Sequence, residues 1–119
     1  MIGRKFIKGK TYYTSDVEGW VVFRPSSTQI ETDRKTIIKG HMISNLNAHW
    51  SEDKFIRKDG ICTHPWGTGR GVSVHSRDVR LATPYETRIL DRVIETGEAL
   101  TEEEMRAIQR EMKIEELGI

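Results

Sequence analysis

Two helix starts and one helix stop lie in the last third of this sequence, and they constrain its fold more than anything before them. Thr83-Pro84-Tyr85-Glu86 puts threonine at an N-cap, proline at the first helical position and glutamate three residues after the cap. Such a capping box satisfies helix N–H groups that have no partner within the helix, and proline loses nothing where no N–H bond is needed. Thr101-Glu102-Glu103-Glu104 is a second capping box, with three acids at the positive end of the helix dipole. Gly97 lies between them and ends the first helix in the left-handed conformation that glycine adopts cheaply. Leu100 and Met105 have the spacing of a hydrophobic staple. Ile89, Val93 and Ile94 line one stripe, flanked by Tyr85 and Leu90, and Met105, Ile108 and Met112 line another. A link of about four residues joins the helices and favours an antiparallel hairpin over residues 84–119.

Residues 1–83 read as β-structure. Lys5-Phe6-Ile7 and Thr11-Tyr12-Tyr13-Thr14 are β-prone runs separated by Gly9. Glu18-Gly19 marks a turn, and Trp20-Val21-Val22-Phe23 follows until Pro25 stops it. Thr28–Thr32, Thr36–Ile38 continuing past Gly40 to Ile43, Val72–His75 and Val79–Leu81 are further short candidates. Lys54–Arg57 and Ile61–His64 flank Lys58-Asp59-Gly60, a hairpin signal. Residues 44–53 read as a loop or a single helical turn. Short strands with frequent turns make an antiparallel sheet, so the expected class is α+β in one compact domain: a β region followed by the helical hairpin.

The 119 residues suit one domain, and nine aromatics argue against disorder. No apolar run approaches the length of a membrane-spanning helix, and the basic start lacks the apolar stretch of a signal peptide. A single cysteine, Cys62, excludes an internal disulfide and fits a reducing cytoplasm. The net charge of +1 conceals an asymmetry. Residues 1–83 carry 14 Lys/Arg against 8 Asp/Glu, and residues 84–119 carry 5 against 10. The basic part suits phosphates and the acidic part does not suit nucleic acid. A small lean chain with Ile114, Leu117 and Ile119 beyond the helical stripes has more apolar surface than one sheet covers, so a homo-oligomer is expected.

No nucleophile signature stands out. Cys62 and His64 would share a strand face, but a dyad needs an oxyanion hole and an orienting group, and a half-buried thiol is the simpler reading. His41, His49, His64 and His75 lack the paired spacing of a zinc site, so neither metal nor cofactor is expected. Trp66-Gly67-Thr68-Gly69-Arg70-Gly71 offers an anion site: glycines let N–H groups turn inward, Arg70 adds a forked cation, and Trp66 could stack on a base. The same residues also make an ordinary flexible turn. Arg106 and Arg110 are four apart, share a helix face and could clamp a phosphate or diphosphate, or serve only as surface partners for glutamates such as Glu102.

A short chain with a β region and a C-terminal helical hairpin carrying two arginines four apart resembles the phage anti-Thoeris sponge proteins that sequester cyclic ADP-ribose signals. The resemblance implies a protein without enzymatic activity, acting in the cytoplasm of an infected bacterial cell. It would bind a cyclic nucleotide messenger, with cyclic oligonucleotides as a further ligand class, and assemble through its helices as a dimer or hexamer. By position, Tyr85 matches the aromatic that stacks on the ligand, and Arg106 and Arg110 match the pair that holds its phosphates. The family also uses an amide and an acid near the hairpin; here Glu95 and Glu98 are near it and no asparagine is. Two other readings stand beside this one: a nucleic-acid- or protein-binding module using the basic β region, and a small nuclease or phosphodiesterase.

Overall fold

A computed structural model of the chain describes residues 3–16, 19–32, 37–44, 62–63, 72–74, 77–98 and 100–118. The order is β1 (Lys5–Phe6), β2 (Tyr12–Asp16), β3 (Gly19–Pro25), β4 (Gln29–Ile30), β5 (Ile37–Ile38), β6 (Gly40–Ser44), β7 (Cys62–Thr63), β8 (Val72–Ser73) and β9 (Val79–Leu81), then α1 (Pro84–Thr96) and α2 (Glu102–Glu116). The fold is α+β, with antiparallel pairing and two C-terminal helices, as the sequence implies. Among the described residues the β region is divided among three sheets. One has five strands in the order β7-β6-β3-β2-β9, and the pairs β1-β4 and β5-β8 stand apart. Gly9, at φ 84°, lies between β1 and β2, and β1 pairs with β4 instead. The Asp-Gly hairpin centred on Lys58–Gly60 lies outside the described residues, apart from Cys62–Thr63.

Strand β3 explains the layering. Val21, Val22 and Phe23 are all buried, so both faces of the sheet are covered and the usual alternation is lost. On one face Val21 and Phe23 join Phe6, Tyr12, Ile38, Met42, Val72 and Val74. Phe6, Tyr12 and Phe23 pack with centroids 5.4–6.1 Å apart. On the other face Val22 and Ile43 meet Ile89, Leu90 and Val93 of α1, Ile108 of α2 and Leu100 of the link. Gly40 is required where β6 passes β3, because a Cβ there would collide with the Arg24 carbonyl.

The local signals of the hairpin are realised. Both capping boxes form, and Gly97 caps α1 at φ 71° while donating to the Val93 carbonyl. Leu100 is 4% exposed and Met105 packs on the same cluster. The stripe of α1 is rotated from the expected one. Leu90 is fully buried and Ile94 is 37% exposed, because the sheet and α2 meet α1 on the side of Ile89, Leu90 and Val93. Two ion pairs fasten α1 to the sheet: Arg24 to Asp91 at 2.8 Å, and Arg80 of β9 to Glu86 through both arms at 2.8 Å.

Candidate functional site

The antiparallel hairpin sets the first turns of α1 beside the last turns of α2. Between them is an open groove of roughly 1000 Å³, at the upper end of the ~300–1000 Å³ usual for small-ligand clefts. α1 and its cap supply Thr83, Pro84, Tyr85 and Arg88. The walls from α2 are Gln109, Arg110, Met112, Lys113, Glu115 and Glu116. Three cations thus face two carboxylates around one aromatic ring. That composition suits a ligand with an aromatic part and more than one negative charge.

Local sequence positions these groups. The Thr83 hydroxyl accepts from the Glu86 N–H at 3.2 Å, and the Glu86 carboxylate accepts from the Thr83 N–H at 2.8 Å. Arg80 adds its fork to Glu86 and lies 4.0 Å from the centroid of the Tyr13 ring. Burial opposes ionisation of Glu86, but Arg80 and the Thr83 N–H outweigh it and hold the carboxyl below its ordinary value. Tyr85 is thereby fixed at the groove's edge. Burial, with Glu86 adding to it, pushes the Tyr85 phenol up, so it stays protonated at neutral pH and can donate a hydrogen bond.

Tyr85 and Arg110, singled out in the sequence, line the same groove. Arg106 does not line it; its guanidinium is 3.4 Å from Glu102, one turn back on α2, with both side chains mostly exposed. Glu95 and Glu98 lie at the opposite end of the hairpin, around the C-terminus of α1. Arg88, Gln109 and Lys113 were not anticipated. A signal for them existed: folding the hairpin about residues 97–101 sets Arg88 opposite the last turns of α2. Trp66, Gly69, Arg70 and Gly71 fall outside the described residues, as do His49, His64 and His75. Among the described residues, no group of three or more His, Cys, Asp or Glu could hold a metal ion, and no helix is long and apolar enough to cross a membrane.

Across the groove Arg88 meets Glu115 at 3.2 Å, with side chains 41% and 58% exposed. Arg110 and Lys113 make no ion pair with any described residue. No family model, curated protein or solved structure matches the chain.

Proposed function

We propose that the protein binds and sequesters a cyclic nucleotide signal of the cyclic ADP-ribose type in the groove between its helices, without transforming it. In this reading it blocks a bacterial anti-phage defence in the cytoplasm of the infected cell. The supporting observation is the meeting of Tyr85 with Arg110, Lys113 and Arg88 in one groove of ligand size. The Tyr85 ring stacks on the base, and guanidinium forks take the diphosphate. The Gln109 amide lines the same groove and, in this reading, can donate and accept hydrogen bonds to a base edge. Sequestration needs affinity and no chemistry, which agrees with a groove that joins an aromatic to cations.

The protein also self-associates through residues 84–119 in this reading, as a dimer or hexamer. Ile94, Ile114 and Leu117 are 37%, 50% and 68% exposed and supply the apolar contact. Light scattering at micromolar concentration reads this, and a monomer removes it.

Calorimetric titration with cyclic ADP-ribose isomers and cyclic oligonucleotides tests the ligand. Arg110→Ala weakens binding tenfold or more, about 1.4 kcal/mol, with the melting temperature nearly unchanged. Lysine at position 110 restores part of the loss, because it carries the charge without the fork. Wild-type affinity in Arg110→Ala refutes the site. Steep salt dependence with duplex DNA favours the nucleic-acid module instead, because many phosphates are then contacted. Loss of phosphate from the ligand with time favours the enzyme.

A further inference from the structure

The groove contains its own competitor for a bound phosphate. Arg88 lies three residues beyond Tyr85, so the two share a face of α1. A phosphate placed between Arg110 and Lys113, with its nucleoside on the Tyr85 ring, is within the same groove as the Arg88 guanidinium. That guanidinium is already engaged: Glu115, in the last turn of α2, forms an ion pair with it at 3.2 Å, with both side chains exposed. Arg80 shows the contrast, gripping Glu86 with both arms at 2.8 Å where Glu86 is 13% exposed. Glu116, next to Glu115, also lines the groove but makes no ion pair with any described residue.

We infer that Arg88 is a ligand-binding residue that exchanges Glu115 for the phosphate of the incoming ligand, so that Glu115 restrains affinity from within the site. This deepens the sequestration reading and rests on it. The exchange is energetically open. A solvent-exposed ion pair of this kind shifts an equilibrium by roughly two- to fivefold, because water screens it and two long side chains must be ordered. A guanidinium on a phosphate forms two charge-assisted hydrogen bonds and shifts it roughly tenfold or more. Breaking the first to make the second is therefore favourable, yet the first still subtracts from the observed affinity.

The prediction separates Glu115 from ordinary charge repulsion by using Glu116 as its control. The full chain is titrated by calorimetry with two probes, inorganic pyrophosphate and cyclic ADP-ribose, as wild type, Arg88→Ala, Glu115→Gln, Glu116→Gln and the Arg88→Ala variants of the last two. Melting temperatures confirm that each variant is folded, and Arg88→Lys replaces Arg88→Ala if it is not. The expected result is a roughly two- to fivefold gain for Glu115→Gln, a smaller gain for Glu116→Gln, and a loss of about tenfold for Arg88→Ala. In the Arg88→Ala background the two glutamine variants become equal, because Glu115 then has no guanidinium to withhold. Equal gains in the wild-type background, or unchanged binding in Arg88→Ala, overturn the exchange. Pyrophosphate following this pattern while cyclic ADP-ribose fails to bind keeps the exchange and removes the cyclic nucleotide reading. Cyclic ADP-ribose binding that ignores Arg88 and Glu115 does the reverse, and binding of neither probe removes both.

Discussion

Two arginine–glutamate pairs, one in the β region and one at the open end of the helical hairpin, use the same chemistry to opposite ends. Arg4 meets Glu31 with two contacts of 2.7 and 2.9 Å, and Glu31 is 2% exposed. Two further donors of Arg4 reach the Arg77 and Val74 carbonyls at 2.7 and 2.9 Å. The fork on Glu31 raises the Arg4 pKa against the opposing effect of burial. One side chain thus joins β1, β4 and the segment between β8 and β9. Arg88 and Glu115 are half in water and pair at 3.2 Å. A charge removed from water must have every hydrogen bond made, or the structure fails. A charge left in water is cheap to rearrange and can exchange one partner for another. In the proposed reading the Arg4–Glu31 pair holds shape, and the open end of the hairpin binds the ligand.

The largest effect follows from breaking the buried pair. Arg4→Ala takes the forked guanidinium away from a carboxylate that is 2% exposed and destabilises the protein by about 3–5 kcal/mol. Replacing both residues by apolar ones, Arg4→Met with Glu31→Leu, recovers part of that loss, because the buried carboxylate goes together with the guanidinium. Urea denaturation of the single and double variants measures this. A cost below about 1 kcal/mol for Arg4→Ala would place the pair with the exposed one and erase the contrast.

Glu86 stands between the two regimes and gives the comparison a pH axis. Its folded pKa is lowered from the ordinary 4.5, despite burial, by Arg80 and Thr83. A lowered pKa means that the contribution to stability is fully present above about 4.5 and is lost as pH falls through the folded value. Denaturation between neutral pH and pH 3 should show this loss in the wild type. Glu86→Gln, which keeps a capping-box residue but removes the charge that Arg80 holds, should have a shallower acid slope. Identical slopes would mean that the cap and the Arg80 fork do not favour the ionised carboxylate.

These residues also show what a sequence reveals and what it hides. Thr83, Glu86, Gly97, Thr101 and Glu104 were legible because each acts within four residues of its partner, and short-range geometry is set by the helix itself. The α+β class was legible for the same reason, through runs and turns. The orientation of α1 was less so: Ile94 matches the helical period as well as Leu90 does, and only the position of Val22 and Ile43 beneath the helix decides between them. Arg4 with Glu31 was hidden, because it joins elements not adjacent in the chain, whereas Arg88 with Glu115 follows once the hairpin is folded about residues 97–101. Arg110 was found through its spacing from Arg106, yet the structure gives Arg110 different neighbours: Arg88 and Lys113 line its groove.

Arg106 provides the smallest effect and the finest test of where the binding region ends. Spacing on α2 alone makes it the twin of Arg110, and a clamp built on both would lose affinity when either is removed. The structure places Arg106 beside Glu102 at 3.4 Å, with the two side chains 64% and 75% exposed, and outside the groove. An exposed pair four residues apart on a helix contributes about 0.3–0.5 kcal/mol. Arg106→Ala should therefore change stability by no more than that and leave the affinity for cyclic ADP-ribose within roughly twofold of wild type, the scale of such a pair. Arg110→Ala in the same titration should show the tenfold loss, so the two variants differ by more than calorimetric error. A tenfold loss in Arg106→Ala as well would mean that bound ligand extends a turn beyond the groove and draws Arg106 from Glu102. Exposed charges along α2 would then act as one surface, and the boundary between holding shape and binding would lie nearer to the Thr101 cap than the groove places it.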